Sequence, residues 1–318
     1  MAVAIALASS LTVIAVGAHA QALTARTIRI VVPFSAGGSN DVIARAIAGP
    51  LSKRLDVPVI VDNRPGAAGV VGSDHVAKSP KDGSVLLLTS SSLLTAAATQ
   101  SQLPYDALTA FAPVAMIGRG PMLLAVSASA PWKSLADLVA AARSKPGAIN
   151  YGTAGVGSIA HLTTELFDDA AKIKMTHVPY KGASNAAVDL AAGQIQLMIS
   201  NYSTLAPLIR GGKIRSLAVT SAAAHPAFPD MPPMAASAAG FDVAIWVGVF
   251  APAGTPQSIV DRLNQEVNAI AVSPEVLAVL EPDGALPEAI SATMFGARLA
   301  DELKQWKSIA TEHRIVAE

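Results

Sequence analysis

Short apolar runs and helical patterns alternate along this chain from residue 28 onward, the rhythm of βαβ units built on parallel strands. The pattern predicts strands at Ile28 to Val32, Val57 to Asp62, Val85 to Thr89, Ile149 to Gly152, Met175 to Pro179, Ile195 to Ser200 and Ile214 to Thr220. Helices between them carry readable boundaries. Ser134 and Asp137 have capping-box spacing, Leu135, Leu138, Val139 and Ala142 share one face, and Lys145-Pro146-Gly147 ends that helix. Gly193 is expected to close the helix around Val188 to Ala192, and Gly211-Gly212 the one around Leu205 to Arg210. Pro50 falls inside the first predicted helix, where it should kink or shorten it.

Two stretches, 111 to 132 and 241 to 256, break the rhythm. Both are extended, apolar and bounded by Gly or Pro, as segments crossing between two lobes would be. The division that follows is lobe 1 at 21–121 plus 248–318 and lobe 2 at 122–247, joined by two crossover strands. No internal repeat is visible in the sequence.

Composition narrows the class. A length of 318 residues favours two domains, each able to bury its own core. Lys plus Arg and Asp plus Glu both total 23, so no net field draws the chain to nucleic acid, which is not an expected partner. Residues 1–20 carry no charged side chain and end in Ala18-His19-Ala20, a small-x-small pattern suited to signal peptidase. That segment is read as a signal peptide, with the periplasm as destination; a membrane anchor is the alternative. The absence of cysteine agrees with an exported protein held together by its core.

The candidate chemistry sits where strands become helices. "VVPFSAGGSND" (31 to 41) passes from a strand through two glycines into a helix, with Ser39 or Asn40 expected as its cap. "NYGTAGVGSIAHL" (150 to 162) repeats the design, with Ser158 as the expected cap. Helix N-termini offer unpaired N–H groups and the positive end of the dipole, so two such loops could grip one carboxylate from both sides. "VDNRPGAAGVVG" (61 to 72) is another glycine-rich turn, and Tyr180 and Lys181 end a further strand.

Enzyme signatures are weak. G-x-S-x-G, the phosphate-binding G-x-x-x-x-G-K-[ST] and H-E-x-x-H are all missing. His161 and Glu165 stand four apart on one helix face, but two potential zinc ligands without a third do not make a site, and no metal or cofactor is expected. A two-domain hydrolase or transferase using Ser158, His161 and Asp41 stays open as the alternative.

The ordered succession "VPFSAGGSNDVIAR", "VDNRPGAAGVVG", "SPKDGSVLL", "YGTAGVGSIAHL", "VPYKGASNAAVDLAAG" and "FAPAGTP" resembles the tripartite tricarboxylate transporter solute receptors, the Bug family of extracytoplasmic binding proteins. The resemblance implies an α/β, two-lobed periplasmic-binding-protein (Venus flytrap) fold. It also implies capture of a small carboxylated solute, delivery to membrane transporter subunits, and action as a monomer without catalysis. A periplasmic partner of a sensor kinase would share the fold. Carried over, the first loop contributes Phe34, Ser35, Gly37, Gly38, Asn40 and Asp41, and the fourth Thr153, Val156, Gly157, Ser158 and His161. Ser90, Tyr180 and Asn201 complete the expected ligand-binding set. The chain departs from the family at Ile199-Ser200-Asn201-Tyr202, where relatives often carry an Asp-Asn pair, and at Pro232 to Ala236, where they tend to read "PTVAE".

Overall fold

The structure, a computed structural model, describes residues 26–315, so the predicted signal peptide lies outside the described residues. Every strand predicted from the pattern is present within a residue or two of its expected bounds. Together with three more, Phe111–Gly120, Leu123–Ser127 and Ile245–Pro252, they form two five-stranded sheets. The first contains β1 (Ile28–Val32), β2 (Val59–Asn63), β3 (Val85–Ser90), β4 (Phe111–Gly120) and β10 (Ile245–Pro252), in the order β2-β1-β3-β10-β4. The second contains β5 (Leu123–Ser127), β6 (Asn150–Thr153), β7 (Thr176–Pro179), β8 (Leu197–Ser200) and β9 (Ile214–Val219), in the order β7-β6-β8-β5-β9.

The two orders are the same pattern. In each sheet the first strand of a βαβαβ run lies between the second and third, all parallel, and a strand at the hinge then pairs antiparallel with the third. β10 fills that place in the first sheet and β5 in the second. The sequence hides this repetition because shared topology requires only similar burial patterns.

The central strands explain their own composition. β3 and β10 are buried almost throughout, which is why they read as continuous apolar runs. The first sheet is covered on one face by α1 (Ser39–Leu55), α8 (Gln257–Ala271) and α9 (Pro274–Leu280). α2 (Val70–Ala77), α3 (Ser92–Thr99) and α10 (Ala292–Glu312) cover the other. The second sheet has α6 (Ala183–Ala191) and α7 (Tyr202–Arg210) on one face, and α4 (Leu135–Ser144) and α5 (Ile159–Ala171) on the other. The capping box at Ser134 and Asp137 forms as predicted.

Pro50 does not shorten α1, which continues through it to Leu55. The missing N–H costs one hydrogen bond. Ile43, Ile47 and Leu51, all buried at helical spacing, hold both sides of the break against the sheet.

The chain crosses between lobes at Pro121 and returns just before Ile245. Ile245, Trp246 and Val247, which the sequence pattern puts in lobe 2, pair with Gly120, Arg119 and Gly118 of the first sheet. Trp246 anchors the return: its backbone N–H donates to Ser91 Oγ at 3.1 Å, and its indole N–H donates to the Glu302 carboxylate on α10. The Pro232 to Ala236 segment lies beside the β9 edge, where Val219 N donates to Pro232 O at 3.0 Å and Met234 is buried.

Gly120, the last residue before the outward crossing, has the backbone of Gly284 and Ala285 pressed against it; an added Cβ would lie 2.7 Å from Ala285 Cα. Gly120→Ala is therefore expected to destabilise the fold by about 1 to 3 kcal/mol, as overpacking does when the obstacle is backbone. Urea unfolding measures this; an unchanged midpoint contradicts it.

Candidate functional site

Parallel strands deliver their carboxyl ends to the cleft between the sheets, and a helix begins at each. After β1 the chain turns at Gly37, whose φ of 82° suits a residue without Cβ. Gly38, not Ser39 or Asn40, is the N-cap of α1, and no side chain caps it in the usual way. Asp41 does the ordering from inside the first turn: its Oδ2 accepts from Gly37 N at 2.9 Å and from Arg45 Nε at 3.1 Å. Arg45 Nη2 faces the other oxygen at 3.0 Å in an ion pair, without hydrogen-bond alignment. The same Arg45 nitrogen donates to Asn63 Oδ1, and Asn63 Nδ2 donates to Phe34 O. Burial raises the Asp41 pKa, but the Arg45 and Gly37 hydrogen bonds outweigh it and hold the carboxyl below its ordinary range. Asp41 is thus an ionised strut, neutralised by its neighbour.

The fourth loop ends as predicted, with Ser158 Oγ accepting from His161 N at 3.4 Å at the start of α5. Its carbonyls reach across the cleft. Thr95 Oγ1 donates to Gly157 O at 2.8 Å and Gln100 Nε2 to Val156 O at 3.1 Å. Elsewhere along the cleft, Ile159 N donates to Ser92 Oγ, Ser39 N to Thr204 Oγ1, Ser39 Oγ to Asn201 Oδ1 and Ser184 Oγ to Ala36 O. The lobes are closed on each other.

Between them lies a cavity of about 50 Å³, walled by the first residues of α1, α3, α5, α6 and α7 or the residues just before them. Each helix end carries roughly half a positive charge. Ser35, Ser39, Ser90, Ser92, Ser158, Ser200 and Asn201 lie in the wall, while Met122, Ile199 and Ile245 close the hinge side. Among the described residues, Asp41 is the only charged one in the lining. A wider cleft of about 900 Å³ opens outside, shares Ser35 with the cavity, and is lined by Val156, Tyr180 and Lys181 among others. The smaller space is the better candidate for recognition because both lobes enclose it and the helix ends converge on it; the larger one is its mouth.

Of the residues expected from sequence, Phe34, Ser35, Gly38, Asn40, Asp41, Ser90, Ser158 and Asn201 line the cavity, and Val156 and Tyr180 line the mouth. Gly37, Thr153, Gly157 and His161 line neither and hold the loops instead. Ser92 was legible in principle, since "TSSSLL" (89 to 94) is a third strand running into a helix through serines. Met122 and Ile245 had no local signal, because only the crossing of the chain brings them together. Ser158, His161 and Asp41 form no catalytic relay: His161 Nδ1 accepts from Gly157 N, and Asp41 is tied to Arg45. Among the described residues no group of three potential ligands could hold a metal ion, and no helix is long and apolar enough to cross a membrane.

Residues 43–315 match the family described as "Tripartite tricarboxylate transporter family receptor". Protein BugT of Bordetella pertussis is 36% identical over 302 residues, spanning 94% of this chain and 93% of its own. The solved structure described as "R. palustris Rpa4515 with adipate" superposes with a TM-score of 0.87 at 36% identity, covering 92% of this chain and 98% of that one. "MatC (Rpa3494) from Rhodopseudomonas palustris with bound malate" gives a TM-score of 0.84 at 31% identity, covering 89% and 98%.

The Asp41–Arg45 pair generates a charge prediction. Arg45→Met keeps the aliphatic stem but leaves the Asp41 charge uncompensated beside the cavity. Anion affinity is expected to fall by about 1 kcal/mol, the scale for like charges several ångströms apart at an effective dielectric between protein and water. Adding Asp41→Asn should recover most of that loss. Titration calorimetry of both variants checks it; an unaffected Arg45→Met, or a double variant no better than the single, contradicts it.

Proposed function

The chain belongs to the tripartite tricarboxylate transporter receptor family, and from that premise we propose that it captures one small carboxylated solute, seating a carboxylate group in the enclosed cavity while the rest of the molecule extends toward the wider cleft. It is a solute-binding protein of the periplasmic type. In our reading the solute passes unchanged to the membrane subunits of a tripartite tricarboxylate-type transporter. One observation carries the carboxylate assignment: five helix N-termini, from both lobes, meet at a cavity whose lining, among the described residues, contains no cationic side chain. Such a site attracts a single anionic group through backbone N–H donors and hydroxyls, and desolvates it without a salt bridge. The adipate and malate in the two Rhodopseudomonas structures fit that chemistry.

The proposed contacts are the first-turn N–H groups of α1 and α5, the hydroxyls of Ser35, Ser90 and Ser158, and Asn201. Phe34, Gly38 and Asn40 shape the first half of the cradle. Gly37, Thr153, Gly157 and His161 support it from behind, while Val156 and Tyr180 flank the entrance. Both halves come from one chain, so a monomer suffices. The moving bodies are the two sheets with their helices, divided near Pro121 and Ala244. The segment 1–20 serves as the export signal.

A thermal-shift panel of small mono-, di- and tricarboxylates tests the assignment. A carboxylate at 100 times its dissociation constant is expected to stabilise the folded protein by about 2.7 kcal/mol, so at least one member should raise the melting temperature clearly. A response to uncharged sugars alone would contradict the carboxylate reading.

A further inference from the structure

Behind the fourth loop lies a cluster of titratable groups that the binding site leaves unused. His161, on the first turn of α5, and His177, in β7, stack with ring centroids 4.1 Å apart and planes inclined by 21°. Tyr151, in β6, continues the stack at 5.0 Å from His177. The two imidazoles grip opposite ends of the loop. His177 Nε2 lies 2.6 Å from Thr153 Oγ1, the hydroxyl that also accepts from Gly155 N at 3.1 Å. His161 Nδ1 accepts from Gly157 N at 3.2 Å, where φ is 84°.

We propose that His161 and His177 are positioning residues, a stacked clamp that presents the fourth loop to the solute and to the opposite lobe only while both rings are neutral. The role in solute binding rests on the carboxylate reading above; the control of loop geometry does not. An Nδ1 that accepts a hydrogen bond carries no proton, so the neutral His161 ring carries its proton on Nε2, which faces Glu165 Oε1 at 3.9 Å. Glu165 in turn accepts from the Tyr151 hydroxyl. Protonating His161 at Nδ1 turns that nitrogen into a donor facing the Gly157 N–H and places a charge against the second ring. The fixed carbonyls of Val156 and Gly157 would then lose their alignment with Gln100 and Thr95.

The surroundings keep the rings uncharged. Glu165 and Tyr151 face the stack, with Asp168 further along α5; α3 and β8, packed against α5, contain no charged residue. Burial lowers the His161 pKa, with Glu165 opposing it, and burial reinforced by His161 pushes His177 down to about 3. For histidines with lowered folded pKa values, the clamp's contribution is complete above the ordinary histidine value of about 6.5. It is lost as pH falls from there through the folded values.

Imidazole and amide NMR on the full mature chain, with calorimetry against malate and adipate, tests the clamp in the wild type, His161→Ala, His161→Asn and His177→Gln. Asn places an oxygen near the former Nδ1, and Gln near the former Nε2. The expected results are an unprotonated His161 Nδ1 at pH 7, titration below the ordinary histidine range, and Gly157 amide exchange at least about tenfold faster in His161→Ala but not in His161→Asn. His177→Gln is expected to keep the Thr153 anchor and Gly155 amide protection. For whichever acid binds the wild type, affinity should fall about tenfold in His161→Ala and stay within about threefold in His161→Asn. A protonated Nδ1 at pH 7, unchanged Gly157 exchange in His161→Ala, or equal damage from Ala and Asn overturns the clamp. A wild type that binds no carboxylate in the panel overturns the functional reading instead, and the exchange data still judge the clamp.

Discussion

Backbone N–H groups at a helix start have no partner within the helix, and five helices of this protein begin around one small enclosed space. That constraint organises the rest. Strands must run parallel so that their carboxyl ends reach the cleft, and helices must follow at once so that the donors face inward. The chain must cross twice between lobes so that two such arrays oppose each other. Several cavity donors are answered by hydroxyls across the cleft, as Ser39 N is by Thr204 and Ile159 N by Ser92. First-turn donors such as those of Asn40 and Ala160 belong to the same wall.

Charge is managed to suit. A carboxylate beside an anion site would repel the solute, yet Asp41 stands in the cavity wall. Its engagement by Arg45 and Gly37 turns it from a repulsive charge into the tie that shapes the first loop. The fourth loop is held by Ser158 and the histidines instead.

Much of this was legible in the sequence, for physical reasons. Strands such as Ile28–Val32 and Val85–Ser90 are buried runs bounded by turn residues, and the two glycine-rich loops advertise their helices directly. Ile245 to Val247 look alike in sequence whichever sheet they join; only pairing with Gly118 to Gly120 decides it. Pro50 misled because local propensity carries no information about the packing of Ile47 and Leu51. In the site, residues next to glycines could be found from the loop pattern. Met122 and Ile245 could not, since long-range topology alone brings them into the wall. The support role of His161 was equally hidden: it sits in a first helical turn, and sequence does not say whether a polar side chain there faces a solute or its own loop.

A crystal structure of the mature chain grown with a carboxylate selected from the panel tests the binding account most directly. The account predicts one carboxylate in the enclosed cavity, its oxygens about 2.7 to 3.2 Å from first-turn N–H groups of both α1 and α5, with no cationic side chain in contact. A carboxylate held by Lys181 in the outer cleft, or bound to one lobe alone, would contradict it.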